Sequence, residues 1–270
     1  MIEVKHLHAW AWDKKILKGI SLDFQSGKNY CILWKNGSGK STLSAVISWS
    51  PKYSVESGSI QITPSPSLSK RGEQSEDLLS MSPEERSAAG IFLSFQNVPE
   101  ITGIKLSEYL RTIYNIHLKN KFNSPLAPLS SKEGNKKFKE ISPFIFRRFI
   151  KKHLDELHIS EEFLDRDLNV WFSGGEKRKI EMLQIKLIEP KYIILDEIDS
   201  GLDLDAFRQV VELLKAIDNE HNSIIIITHY FKILEYIDVD TVYVLEQWEL
   251  KKQGGKDLAK EISENWFTKL

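Results

Sequence analysis

The stretch Trp34-Lys35-Asn36-Gly37-Ser38-Gly39-Lys40-Ser41-Thr42 decides the fold of this chain. From Asn36 onward it matches the phosphate-binding half of the motif G-x-x-x-x-G-K-[ST]. The apolar run 30–33 before it predicts a buried strand, and the run 43–47 after it predicts the first turns of a helix. A strand–loop–helix unit is the context in which this motif binds phosphate. The position of the first glycine is occupied by Trp34.

This loop predicts a site for a nucleotide and Mg²⁺. Backbone N–H groups from Asn36 to Ser41 can surround a β-phosphate, and the N-terminus of the following helix adds positive partial charge. We expect Lys40 to reach the β- and γ-phosphates and the Ser41 hydroxyl to bind Mg²⁺. The alternative, a loop without nucleotide, rests mostly on Trp34. The predicted nucleotide-binding residues of the loop are Trp34, Lys35, Asn36, Gly37, Ser38, Gly39, Lys40, Ser41 and Thr42.

A pair of acids, Asp196-Glu197, ends the apolar run 192–195. Unpaired carboxylates are costly to bury, and ligands bind at the carboxyl ends of strands in an open α/β sheet. We expect Asp196 to hold Mg²⁺ through water and Glu197 to be the base that orients the attacking water. The alternative is an ordinary acid pair at the surface end of a strand.

Two further polar residues, Gln96 and His229, end the predicted strands 90–96 and 223–228. Taken alone, each is more typical of an ordinary polar strand end. Beside a phosphate-binding loop and an acid pair, His229 is predicted to contact a γ-phosphate, and Gln96 to ligate Mg²⁺ or water.

Composition limits the remaining function classes. The chain has 270 residues, with 37 Lys and Arg against 38 Asp and Glu, and this balance gives no support to a nucleic-acid binder. The single Cys31 gives neither a disulfide framework nor a cysteine metal cluster. We find no run of about 18 apolar residues and no signal-peptide pattern, so we expect a soluble, cytoplasmic protein without membrane insertion.

The order of predicted elements indicates an α/β fold. Strands that alternate with helices favour a largely parallel sheet, and the predicted strands 2–7 and 18–24 favour a small antiparallel sheet before the loop. The polar segments 64–77 and 119–137 are interpreted as exposed loop insertions, and a helix is predicted at 257–267.

The segment Phe172-Ser173-Gly174-Gly175-Glu176 precedes a long amphipathic helix and the acid pair. With the motifs above, it resembles the ATP-binding cassette (ABC) ATPases, and it matches their signature motif. The resemblance implies that Ser173, Gly174, Gly175 and Glu176 bind nucleotide, that Gln96 is the Q-loop glutamine, that 200–203 is the D-loop with Asp203 at the nucleotide, and that His229 is the switch histidine.

Within that family the chain resembles SufC, the soluble ABC ATPase of iron–sulfur cluster assembly. The segments that carry this resemblance are 95–101, 173–178, 195–206 and 227–230. It implies one ABC domain over 1–270, with a RecA-like, mostly parallel core (1–96 and 169–252), an N-terminal antiparallel β-subdomain and an inserted helical subdomain (97–168). It also implies SufB-like and SufD-like partners that contact the helical subdomain.

The same resemblance implies a mechanism. Two cassettes dimerise transiently around ATP, with Ser173–Glu176 of one capping the nucleotide of the other, and hydrolysis reopens them. One alternative is the ATPase subunit of a membrane transporter, although such subunits more often carry Gln at the position of Glu176. The other is a catalytically impaired regulatory cassette, which is suggested by Trp34 alone.

Several tryptophans stand where the family has glycine. Glycine makes up 14 of 270 residues, below the roughly 7% that is usual. We hypothesise that UGA codons for glycine have been translated as tryptophan; the alternative is drift that the protein tolerates. Trp10 and Trp12 lie near the adenine-stacking position of many cassettes but are not assigned that role. The tryptophans at family glycine positions are Trp34, Trp49, Trp171, Trp248 and Trp266.

Overall fold

Two β-sheets organise the first of the two units into which the chain divides, here called unit 1 (Met1–Gln96, Pro190–Ser200 and Asp218–Leu270). The other unit, unit 2, comprises Asn97–Glu189 and Gly201–Ile217. The structure is a computed structural model, and it describes residues 1–34, 40–63, 75–94, 98–123, 138–198, 204–218, 220–229 and 231–265.

The strands of unit 1 form a four-stranded and a six-stranded sheet. The strands are β1 (Ile2–Ala11), β2 (Lys14–Phe24), β3 (Tyr30–Trp34), β4 (Tyr53–Ile62), β5 (Glu76–Asp77), β6 (Ile91–Ser94), β9 (Tyr192–Asp196), β10 (Ser223–Thr228), β11 (Thr241–Glu246) and β12 (Glu249–Gly254). The four-stranded sheet is antiparallel, in the order β2-β1-β4-β5, and the six-stranded sheet has the order β12-β11-β3-β10-β9-β6.

The six-stranded sheet is mostly parallel, as predicted. Strands β11, β3, β10, β9 and β6 are parallel neighbours, and only the hairpin β11–β12 is antiparallel. Every residue of β9 and β10 is buried. Continuous apolar runs of this kind are typical of parallel strands that are covered on both faces.

The helices of unit 1 are α1 (Lys40–Ser48), α2 (Pro83–Ala88) and α7 (Lys256–Asn265). Leu43, Val46 and Ile47 of α1 join the core that also contains β1, β2 and the central strands. Each such side chain contributes about 1.5–3 kcal/mol when it is fully buried. Two short 3₁₀ helices lie at Leu78–Ser80 and Phe231–Glu235.

Helices dominate unit 2, together with a two-stranded sheet. The helices are α3 (Leu106–Asn123), α4 (Pro143–Glu156), α5 (Gly174–Ile188) and α6 (Leu204–Ile217), and the antiparallel strands are β7 (Ile101–Lys105) and β8 (Asp167–Leu168); a 3₁₀ helix covers Glu161–Asp165. Phe146, Ile150 and Leu154 recur every four residues along α4, so they form one buried face in the core of this unit.

Unit 2 is larger than the helical subdomain predicted at 97–168. It also contains the whole of α5 and α6, which the sequence analysis had placed in the core. Helix α5 belongs here because its buried face, including Ile180, Leu183 and Leu187, packs into the same hydrophobic cluster as α3 and α4.

Two predicted loops and one helix differ from the structure at their edges. Residues 119–123 are helical rather than loop, because α3 meets no Gly or Pro before its end, and Lys121 pairs with Glu189 at 2.6 Å. Residues 76–77 pair with β4 as a short strand, which the buried Leu78 anchors. The remainders of these loops, 64–74 and 124–137, lie outside the described residues, as do 266–267 of the predicted C-terminal helix.

Among the described helices, none combines the length with the hydropathy that crossing a membrane requires.

Candidate functional site

The central predicted catalytic residues meet at the ends of β9 and β10. These strands are parallel neighbours in a register that pairs Asp196 with Ile227, and the backbone N–H of Glu197 donates to the Ile227 carbonyl at 2.9 Å. Since His229 follows β10 by one residue, its Nδ1 lies 3.3 Å from Oε1 of Glu197. Strand register therefore brings the acid pair and the histidine to one sheet edge.

Glu197 occupies an unusual backbone conformation. Its φ of 50° lies in the left-handed region, which costs a non-glycine residue on the order of 1–3 kcal/mol. Its side chain is mostly buried, whereas that of His229 is partly exposed. The strained turn aims the carboxylate at the imidazole, so the surrounding strands hold a base candidate in a fixed position.

Asp196 is tied to the helix that follows the phosphate-binding loop. Its carboxyl group is buried, and Oδ2 accepts a hydrogen bond from Oγ of Ser44 at 2.7 Å. Ser44 was missed by the sequence analysis; its only signal was a place four residues after Lys40, one helical turn further along α1. The oriented carboxylate oxygen at a strand end is the hard donor that Mg²⁺ prefers, so the described residues fit that ion.

The loop itself joins β3 to α1, as the strand–loop–helix prediction required. β3 ends at Trp34 and α1 begins at Lys40, whose neighbours Thr42 and Ser44 are buried. The predicted nucleotide-binding and metal-binding residues that lie outside the described residues are Lys35, Asn36, Gly37, Ser38, Gly39, Gln96 and Asp203.

The predicted signature motif begins α5 in unit 2. Ser173 is the N-cap: its Oγ accepts from the Glu176 N–H at 3.3 Å, while Glu176 Oε2 accepts from the Ser173 N–H at 2.7 Å. This reciprocal capping box fixes the first turn, which contains Gly174 and Gly175. A helix N-terminus carries positive partial charge and binds phosphate, so the turn has the polarity that a nucleotide contact requires.

Residues 98–100, which follow Gln96 in the chain, contact the signature region within unit 2. Nδ2 of Asn169 donates to the Pro99 carbonyl at 2.9 Å, and Nζ of Lys177 lies 2.6 Å from Oε1 of Glu100. Sequence reasoning gave Asn169 and Lys177 no role. These two contacts link the 98–100 segment to the start of α5.

A buried ion pair stabilises the same helix. Nη1 of Arg178 lies 2.6 Å from Oε2 of Glu181, and each side chain is 4% exposed. Charges at this depth need partners, because the protein interior solvates them far less well than water does.

The chain resembles known proteins over nearly its whole length. Residues 17–200 match the family model described as ABC transporter. The chain is 39% identical to "Probable ATP-dependent transporter ycf16" of Cyanophora paradoxa over 262 residues, covering 97% of this chain and 91% of that protein. It is 36% identical to "Probable ATP-dependent transporter SufC" of Escherichia coli (strain K12) over 271 residues, covering 99% of each.

Among solved structures, the dimeric structure of a bacterial ABC transporter cassette is similar with a TM-score of 0.70. The match covers 95% of this chain and 99% of that chain at 17% identity, so it shows the fold alone. It confirms the predicted cassette architecture, with its mostly parallel core sheet and antiparallel β-subdomain.

Proposed function

This chain belongs to the ABC transporter family and is an ATP-hydrolysing cassette of it, and from that premise we propose that it powers an iron–sulfur cluster assembly complex. The observation that carries the proposal is the match to the relative named SufC, which spans 99% of both chains. The partners are SufB-like and SufD-like scaffold proteins, and the place of action is the cytoplasm.

The reaction assigns a role to each group at the sheet edge. Glu197 orients a water and accepts its proton as the water oxygen attacks the γ-phosphorus of ATP; ADP leaves, and phosphate is released. His229, 3.3 Å from Glu197, contacts the γ-phosphate and holds the carboxylate in place. Lys40 neutralises charge on the β- and γ-phosphates.

Asp196, Ser41 and Gln96 are the proposed residues for Mg²⁺. The ion supplies Lewis-acid polarisation of the phosphate oxygens when it is bound. The hydrogen bond from Ser44 holds the Asp196 carboxyl group in one orientation.

Two cassettes act together in the proposed cycle. The Gly174-Gly175 turn of one cassette, held by the Ser173–Glu176 capping box, caps the ATP that is bound to the other cassette. Hydrolysis removes the γ-phosphate from that contact and lets the pair reopen. The ion pair between Lys177 and Glu100, here called the clamp, carries this movement to the 98–100 segment of unit 2.

We place the partner-docking surface on unit 2. Exposed apolar side chains do not stabilise an isolated protein, and a group of them is typical of a docking surface. Unit 2 exposes several, and Phe144 at the start of α4 is 81% exposed. The exposed apolar side chains of unit 2, apart from its tryptophan, are Ile101, Ile104, Ile116, Phe144 and Ile145.

A co-purification experiment tests both the partner and its site. The chain is co-expressed with SufB-like and SufD-like proteins, and complexes are weighed by native mass spectrometry. We expect a complex that F144S/I145S weakens at least tenfold and that the matched control E249Q, on exposed β12, leaves intact. If no complex forms with either partner, the assembly proposal is wrong.

A second candidate function is the ATPase subunit of a membrane transporter, which the description of both relatives as probable ATP-dependent transporters favours. It predicts co-purification with a membrane permease from detergent extracts. Measured Mg-ATP turnover separates both functions from an impaired regulatory cassette, which would bind ATP without hydrolysing it.

A further inference from the structure

Four tryptophans adopt a backbone conformation that suits glycine. Ten non-glycine residues in the described part of the chain have positive φ, and four of them are tryptophans, although tryptophan makes up only 7 of 270 residues. Only a few per cent of non-glycine residues have positive φ, and bulky side chains are true outliers there. The four are Trp12, Trp49, Trp171 and Trp248.

Trp12 lies in a two-residue hairpin loop. Ala11 pairs with Lys14 in the β1–β2 register, so Trp12 and Asp13 are the two central residues of the turn. Positive φ, 54°, occurs at Trp12 and not at Asp13. Positive φ at the first central residue alone is the pattern of a type II′ turn, which takes glycine at that position.

Trp248 lies in a hairpin of the other mirror-image type. Glu246 pairs with Glu249, and the central residues Gln247 and Trp248 have φ of 51° and 69°. Positive φ at both positions is the pattern of a type I′ turn, in which Asn-Gly is the preferred sequence. Within the described structure, the indole N–H of Trp248 is buried and meets no hydrogen-bond acceptor.

Trp49 immediately follows helix α1 with a φ of 73°. Helices commonly end on a left-handed residue, usually glycine, with proline shortly after it, and here Pro51 comes two residues later. The tryptophan side chain is 47% exposed. It therefore stands at a helix stop that glycine makes without strain.

Trp171 stands two residues before Ser173, the N-cap of α5, with a φ of 60°. Its side chain is 90% exposed, and that of Trp12 is 83% exposed. Neither indole gains enough burial to offset the strain of its backbone. Each position demands a left-handed residue and makes no use of a large side chain.

Trp10 differs from these four in its backbone conformation, and from Trp12 and Trp171 also in the use of its indole. It lies within β1 and is not among the residues with positive φ, and its Nε1 donates to Oε2 of Glu56 at 3.1 Å. This tryptophan has a conformation that suits a side chain and a contact that uses the indole.

We infer that the native residue at positions 12, 49, 171 and 248 is glycine, so that the codons at these positions are read as glycine by the source organism. Four geometrically different sites, two hairpin turns, a helix stop and a pre-helix loop, agree on the same replacement. The inference adds position 12 to the glycine positions recognised by family resemblance, and it rests on backbone geometry and side-chain exposure.

Peptide mass spectrometry of the chain purified from its native source tests the inference directly. We expect peptides that span positions 12, 49, 171 and 248 to have glycine masses, and the gene to carry UGA at all four codons. Tryptophan masses at these positions, or UGG codons, would overturn the inference.

Recombinant variants give a second readout. Starting from the chain with tryptophan at all seven positions, W12G, W49G and W171G are each expected to raise the midpoint of thermal unfolding by about 2–4 °C, since each replaces an exposed tryptophan that has positive φ. The matched control W10G is expected to lower it, because glycine weakens a strand and the bond to Glu56 is lost. A lower midpoint in the first three variants contradicts the inference.

The same inference bears on codon 34, which specifies the first residue of the phosphate-binding motif. If codon 34 is the same as codons 12, 49, 171 and 248, the loop has its first glycine, and W34G should increase ATP affinity. This outcome is independent of the partner proposal, because it concerns which amino acid is present and not which complex the chain joins.

Discussion

Units 1 and 2 differ in what they expose. Among the described residues of unit 1, the large exposed apolar side chains are Trp12 and Trp49, two of the four assigned to glycine, whereas unit 2 exposes five aliphatic and phenylalanine side chains besides Trp171. The other large apolar side chains described in unit 1 are buried or partly buried, and the polar groups of the candidate site lie at one edge of the six-stranded sheet. Under the proposed function, the hydrolytic groups lie in unit 1, whereas the exposed apolar side chains of unit 2 are the proposed partner-docking surface.

The largest expected effect tests the chemistry of unit 1. Glu197→Gln keeps the shape of the side chain but removes the base, so ATP turnover should fall by about 10²–10⁴-fold. ATP should then trap a dimer of cassettes, which size-exclusion chromatography with light scattering detects. Glu249→Gln, on exposed β12, is the matched control. Normal turnover by a monomeric Glu197→Gln variant would show that the base lies elsewhere.

The next effect concerns the stability of unit 2. Glu181→Gln removes the negative charge that faces Arg178 in the buried pair, so the free energy of unfolding should fall by about 3–5 kcal/mol. Urea unfolding measures it. Glu161→Gln, which loses exposed contacts to Arg147 at 3.4 Å and to Lys151 at 3.8 Å, should cost at most about 1 kcal/mol. Equal effects of the two variants would contradict the distinction between buried and exposed pairs.

A smaller effect is expected where helix α1 meets the acid pair. Ser44→Ala removes a buried hydrogen bond to the Asp196 carboxylate, which should cost about 1.5–3 kcal/mol of stability and raise the Mg²⁺ concentration needed for half-maximal turnover. Ser48→Ala, on the same helix with a long 3.5 Å contact to Ala45, is the control. An unchanged Mg²⁺ dependence would separate Ser44 from the metal site.

The smallest effect is expected at the exposed clamp of unit 2. Lys177→Ala breaks a partly exposed pair with Glu100, so stability should change by less than about 1 kcal/mol. Stimulation of turnover by the scaffold partners should nevertheless fall, because the 98–100 segment is no longer fastened to α5. Lys215→Ala, which loses only its contact to Glu212, should leave the stimulation unchanged. If both variants respond alike, the clamp carries no signal.

Local sequence pattern predicted the strand ends well because a short motif specifies its own backbone. The apolar run 192–195 and the acids after it could be placed on a buried strand, and the Ser-x-x-Glu spacing of Ser173 and Glu176 is that of a capping box. Segment 119–123 is an exception, because its polar composition is typical of a loop although α3 extends through it.

Contacts between distant segments were beyond sequence pattern. Ser44 and Asp196 are 152 residues apart, and Asn169 and Pro99 are 70 apart. Nothing in either local sequence indicates its partner. The order of the six-stranded sheet, which inserts β10 between β3 and β9, brings Ser44 and Asp196 together. The pairing of β7 with β8 brings Pro99 and Asn169 together.

The sequence by itself determined the family, the phosphate-binding loop and the order of the motifs, because each depends on residues that are adjacent in the chain. The tertiary structure decided the 3.3 Å approach of His229 to Glu197, the membership of α5 in unit 2 and the left-handed backbone at four tryptophans. Those features depend on strand register, on packing and on φ, which the surrounding structure imposes whatever residue is written at the position.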